Sequence, residues 1–165
     1  MRGGGGRSSY CSAANILPST NARWFVKVRE SSDDAGDYDD VLLSSIMIFV
    51  ESRGFSRRMG EFMDGDSYRA LQNQLIADPT KGAVIPGCGG LRKVRVEDVG
   101  RSRGTRGGAR VIYLNIPVVG RIDLVAICGK DETDDLSAAQ RRILSALARQ
   151  AKREASRMIG REQPK

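Results

Sequence analysis

Histidine is absent from all 165 residues of the chain. That absence removes the usual general base near neutral pH and every Ser-His or Cys-His nucleophile arrangement, so any catalysis must rest on lysine, arginine, tyrosine or carboxylates. Cysteine is scarce. Cys11, Cys88 and Cys128 are odd in number, far apart and never in a CxxC spacing. A disulfide framework is therefore not expected, nor is a structural zinc without histidine to complete its ligands. The chain also lacks any run of about 18 apolar residues, and it does not start with the charged, apolar and small-residue segments of a secretory leader. These absences predict a cytoplasmic protein with no membrane segment. A mass of 18.0 kDa suits one domain, or a smaller domain carrying a tail.

Positive charge is in excess. Lysine and arginine number 27 against 20 acidic residues, a formal net charge of +7, which favours an acidic partner such as nucleic acid. The excess is unevenly placed: residues 1–46 hold five basic and six acidic side chains, leaving 22 basic and 14 acidic for residues 47–165. Between 92 and 110, Arg92, Lys93, Arg95, Arg101, Arg103, Arg106 and Arg110 face only Glu97 and Asp98.

Residues 1–46 open on Gly3 to Gly6 and hold the acidic cluster Asp33, Asp34, Asp37, Asp39 and Asp40. Such composition buries little apolar surface and predicts a disordered N-terminal extension, with Trp24, Phe25 and Val26 as one apolar island. Compact-domain patterning begins abruptly near Ile46, which makes Met47 a candidate natural start. The domain is expected over 47–158, with a short tail over 159–165. Ile46 to Val50 is apolar and partly β-branched, as in a buried strand. Phe55, Met59, Phe62 and Met63 form the stripe of an amphipathic helix. Asp64-Gly65-Asp66 breaks it, and Tyr68, Leu71, Leu75 and Ile76 resume the helical period, with Asp66 or Ser67 as the cap. Three strands follow: Leu91 to Val96, Ala109 to Ile116 and Ile122 to Cys128, the last two joined by a turn at Pro117 to Gly120. Alternation sets Lys93 and Arg95 on one face of the first of these. Ser137 to Gln140 matches a capping box ahead of a C-terminal helix. The expected fold class is α+β: a small antiparallel β-sheet with an N-terminal helical hairpin and a C-terminal helix, in the order β-α-α-β-β-β-α.

Three blocks in this order resemble a known family: Val84-Ile85-Pro86-Gly87-Cys88-Gly89-Gly90-Leu91-Arg92-Lys93-Val94-Arg95, then Arg106-Gly107-Gly108-Ala109-Arg110-Val111-Ile112-Tyr113, then Gly129-Lys130-Asp131-Glu132 with Asp135-Leu136-Ser137. Together with the helical hairpin before them they are similar to the RelE/ParE superfamily, nearest the HigB branch of type II toxin-antitoxin systems, over about residues 47 to 155. The resemblance implies a cytoplasmic toxin that cuts mRNA, commonly on the ribosome, inhibits translation and is restrained by a helix-turn-helix antitoxin. It implies attack of a ribose 2′-hydroxyl on the adjacent phosphate, with no metal or cofactor. The positions matching the family's catalytic basic residues are Lys93, Arg95 and Arg110. Arg110 would clamp the scissile phosphate, while Lys93 and Arg95 neutralise charge and one of them relays protons. Arg101, Arg103, Arg106, Tyr113 and Lys130 are the candidate RNA-binding residues. The sequence departs from the family at Asp131, where Asn or Arg is frequent, and at Cys128 and Leu114, where aromatics are frequent.

Simpler readings stand beside these. Lys93 and Arg95 also fit a solvated strand face, and Arg92, alternating with Val94 and Val96, fits a structural role under the sheet. Arg101, Arg103 and Arg106 lie in a Gly- and Ser-containing loop suited to general RNA-backbone contact. Tyr113 fits core packing as well as stacking on a base. Ile143, Leu147 and Ala151 form a stripe that suits either the core or an antitoxin interface. Gly87, Gly89 and Gly90 do not make a phosphate loop, since no Lys-Ser/Thr pair follows and the next element is a strand. Two other functions remain open: a ParE-like inhibitor of DNA gyrase, and a nucleic-acid-binding module without activity.

Overall fold

The computed structural model describes residues 23–28, 46–97, 108–129 and 136–161. The chain is α+β. Its elements are β1 (Arg23–Val28), β2 (Ile46–Glu51), α1 (Arg53–Phe62), α2 (Gly65–Ala77), β3 (Ala83–Val84), β4 (Arg92–Glu97), β5 (Gly108–Ile116), β6 (Arg121–Gly129) and α3 (Ala138–Arg161). One mixed sheet holds every described strand in the order β1-β2-β6-β5-β4-β3.

The expected helical hairpin, the three consecutive strands and the C-terminal helix are all present, and β4, β5 and β6 are neighbours in sequence order. The Pro117–Val119 turn closes with Gly120 in the left-handed region at φ 57°. The capping box of α3 is formed: Gln140 N donates to Ser137 Oγ at 3.2 Å, and Ser137 N donates to Gln140 Oε1 at 2.8 Å.

Four expectations are corrected. The sheet is mixed, because β2 runs parallel to β6, with Ile48 opposite Arg121 and Glu51 opposite Leu124. A parallel neighbour needs a long crossover, here the whole path from α1 through β5, and strand direction leaves no mark in a strand's own pattern. Second, Arg23–Val28 is not outside the fold; it pairs antiparallel with all six residues of β2. The rest of the expected N-terminal extension lies outside the described residues. Third, Asp64 caps α2, accepting from Ser67 N at 2.8 Å, so the helix begins at Gly65, ahead of the Asp66 and Ser67 expected as caps. Fourth, α3 continues to Arg161, past the expected domain boundary.

Strand alternation sorts the core into two layers. On one face Phe49, Val94, Val111, Tyr113, Ile122 and Leu124 pack against Phe55, Met63, Leu71 and Leu75 of the helical hairpin. On the other, Ile112, Leu114, Ile116, Ala126 and Cys128 pack against Leu144, Ala148 and Ala155 of α3. Covered on both sides, β5 and β6 read as near-continuous apolar runs. Among the described residues no helix is long and apolar enough to cross a membrane.

Candidate nucleic-acid interface

The basic residues of β4 and β5 are brought together by register. Arg95 stands directly opposite Arg110, and Lys93 stands opposite Ile112, two positions along the same face. Directly opposed Cβ atoms in such a pair are about 5 Å apart and diagonal ones about 7 to 8 Å, so three long cations share one patch. Because Ile112 belongs to the layer under α3, the patch lies on the α3 side of the sheet. Like charges placed opposite one another on a strand pair are unfavourable unless something negative lies between them.

The three differ in access. Arg95 is exposed, Lys93 is half-buried, and Arg110 is only 7% exposed. Arg95 is thus the first of them to meet a ligand, and Arg110 forms the floor of the patch.

β4 is held firmly beneath them. Arg92 Nη1 donates to the carbonyls of Thr80 at 2.6 Å and Gly82 at 3.0 Å, the structural role its alternation suggested. Gly82 adopts φ +86°, and a Cβ there would lie 2.2 Å from the carbonyl oxygen of Lys93, so only glycine lets this turn press on β4 at that residue. The glycine turn before β4 is tied to α3 in the same way. A Cβ on Gly89 would lie 2.9 Å from Ala148 Cβ, and Lys152 Nζ donates to the Gly89 carbonyl at 2.8 Å.

Tyr113 is a core residue, which corrects its candidacy for base stacking. Its side chain is fully buried, and its hydroxyl donates to the carbonyls of Pro79, at 3.1 Å, and Lys81. Burial pushes its hydroxyl up to about 12. No ring face is left for a nucleobase, because Tyr113 points to the helical-hairpin layer while Lys93, Arg95 and Arg110 point to the other. Cys128 and Cys88 are buried small residues; Cys128 Sγ donates to the Arg110 carbonyl at 3.8 Å, and burial raises the Cys88 thiol above its ordinary value. Arg101, Arg103, Arg106 and Lys130 lie outside the described residues, as does Asp131.

Two polar clusters escaped the sequence reading. Under α3, the Arg121 guanidinium grips Asp123 in a buried two-pronged pair, Nη2 to Oδ2 at 2.8 Å and Nε to Oδ1. Burial raises the Asp123 carboxyl despite the opposing pull of Arg121. On the hairpin side, the buried carboxylate of Glu51 accepts from Tyr68 at 2.6 Å and from Ser56. Burial and the Glu51 contact push the Tyr68 hydroxyl far above its ordinary value. The i, i+2 spacing of Arg121 and Asp123 within a strand could have flagged the first cluster. Glu51 meets Tyr68 only because α2 folds back over β2, for which no local signal exists. Among the described residues no three His, Cys, Asp or Glu side chains are grouped to hold a metal ion. Compared with protein-family models, the chain matches none of them.

Proposed function

We propose that the chain is a toxin of the RelE/ParE superfamily, nearest its HigB branch, that cleaves mRNA on the ribosome and is neutralised by a helix-turn-helix antitoxin. The observation that carries this reading is the clustering of Lys93, Arg95 and Arg110 on one sheet face by the β4–β5 register. The quoted sequence blocks and the succession of helical hairpin, three consecutive strands and C-terminal helix accord with it.

In the proposed reaction the ribose 2′-oxygen forms a bond to the adjacent phosphorus as the bond to the 5′-oxygen breaks, leaving a 2′,3′-cyclic phosphate and a 5′-hydroxyl. The 2′-hydroxyl gives up a proton and the departing 5′-oxygen takes one. Negative charge grows on the non-bridging oxygens, and guanidinium groups fixed before the reaction stabilise it without reorganisation. Arg110, set in the floor, holds the phosphate; Arg95 and Lys93 close over it from the exposed side, and Lys93, with its mobile ammonium, is the one suited to pass a proton to the leaving oxygen.

Removing a transition-state contact of this kind costs about a hundred- to thousand-fold in rate, whereas deleting an exposed charge changes stability by less than about 0.5 kcal/mol. Since Arg110 is buried, the decisive variant is Lys93→Ala/Arg95→Ala. Expressed from a tight promoter, it is expected to stay folded and to lose both mRNA cleavage and toxicity. Undiminished cleavage would refute the site, and toxicity persisting without any cleavage in the unaltered protein would favour gyrase inhibition.

A further inference from the structure

We infer that the outer face of α3 is a second, separate nucleic-acid surface, which docks along the phosphate backbone of a double helix without reading sequence. Much of the molecule's positive charge lies there. Across its 24 residues α3 carries seven basic side chains, Arg141, Arg142, Arg149, Lys152, Arg153, Arg157 and Arg161, and one acidic residue, Glu154. Its net +6 nearly equals the +7 of the whole chain. By contrast α1 and α2 together hold four basic and two acidic residues.

The arrangement is directional. At 100° per residue, Arg142, Arg149 and Arg153 fall within about 40° of one another over about 16 Å of helix axis, with Arg157 about 60° from the first. Leu144, Ala148 and Ala155 occupy the opposite side, buried against the sheet. Arg142, Arg149, Arg153 and Arg157 are exposed, and none of them forms an ion pair or hydrogen bond with another described residue. Lys152, also exposed, is by comparison spent on the Gly89 carbonyl.

This placement opposes the helix's own stability. Arg141 and Arg142 stand at its N-terminal end, where the backbone dipole is already positive and the first turn has no acidic residue to offset it. Arg149, Arg153 and Arg157 form an i, i+4 row of like charges, also unfavourable in an isolated helix. Local rules broken together mark surfaces used for something other than folding.

The chemistry selects the ligand. Guanidinium forks match phosphate oxygens, and a straight row of them matches a regularly spaced backbone. A single-strand platform would need aromatic rings for the bases, and α3 has none. A helix lying in a membrane surface would need its apolar side outward, whereas α3 turns Leu144, Ala148 and Ala155 to the core. The α3 face looks out from the same side of the sheet that bears Lys93 and Arg95, so one folded RNA could engage both. The inference nevertheless stands without the cleavage reading, because it concerns binding alone.

The test compares the full chain with its Arg142→Ala/Arg149→Ala/Arg153→Ala and Lys93→Ala/Arg95→Ala variants by fluorescence anisotropy. The probes are a short labelled RNA duplex, the matching DNA duplex, one single strand and phosphatidylserine vesicles. The full chain is expected to bind a duplex most tightly, and the better of the two identifies the natural source. Losing three phosphate contacts should make the slope of log affinity against log salt shallower by roughly 3 and weaken binding on the order of tenfold or more. The Lys93→Ala/Arg95→Ala variant should lose less duplex affinity than the α3 triple variant, because the row of exposed arginines lies on α3. A folded triple variant with unchanged affinity and slope would overturn the inference, as would preference of the full chain for the single strand or the vesicles.

Discussion

Arg121 and Asp123 show what a residue two positions along a strand decides. Both project from β6 toward α3, and their side chains are only 7% and 12% exposed. Such a pair is costly to desolvate, and neither partner tolerates the other's loss. The Arg121→Met variant is expected to lose about 3 to 5 kcal/mol in urea unfolding, because an unpaired carboxylate stays buried, while Arg121→Met/Asp123→Leu should recover most of that loss. The pair also has a pH signature. Burial, the largest influence on Asp123, raises its carboxyl above the ordinary 3.8, against the pull of Arg121 and with help from Glu154 of α3. The folded state therefore binds the Asp123 proton more tightly than the unfolded state does. The stabilisation is complete below 3.8 and disappears as pH rises through the folded-state value. The difference in melting temperature between the unaltered chain and Asp123→Asn should thus shift against the unaltered chain as pH climbs from 3.8; a difference independent of pH would show that Asp123 titrates as it does unfolded.

At the scale of elements, the junction of β2, α1 and β6 turns on Ser52. The β5–β6 register slips between Ile112 and Tyr113, where Ile112 faces Ala126 and Tyr113 faces Leu124, so Val125 is the extra residue of a bulge. A bulge leaves backbone groups without their ladder partners. Ser52 Oγ donates to the Val125 carbonyl at 2.6 Å and Ser52 N to the Leu124 carbonyl at 2.9 Å, while the same Oγ accepts from Phe55 N at 3.0 Å and caps α1. One hydroxyl thus serves a strand irregularity and a helix start. Ser52→Ala is expected to destabilise by about 1 to 3 kcal/mol, combining a lost cap with a partly buried carbonyl left unpaired. Ser52→Thr, which retains the hydroxyl, should restore most of it in thermal melts; equal losses in both variants would show that packing rather than the hydroxyl is responsible.

At the scale of the whole molecule, the helical hairpin and α3 cover the sheet's two faces, and β1 covers the edge of β2. All six residues of β1 pair along β2. A chain beginning at Met47 should therefore melt at a lower temperature than the full chain, with the α1–α2 and α3 layers still formed by circular dichroism. Equal melting temperatures would show that β1 is dispensable. Among the described residues, the Lys93, Arg95 and Arg110 patch and the α3 arginines both belong to the α3 side of the sheet.

Much of this was legible in the chain itself. Period-2 alternation located β4, period 3.6 located α1 and α2, and the reciprocal Ser137–Gln140 pattern located the start of α3, because each depends on backbone geometry within a few residues. Alternation also placed Lys93 and Arg95 on a common face. The tertiary structure decided what depends on distant segments meeting. It set β2 parallel beside β6, added β1 to the sheet, drew Arg110 into the floor opposite Arg95, and turned Tyr113 into the core on the side away from both. Strand direction, register and burial are settled by which faces exclude water together, and no window of neighbouring residues contains that information.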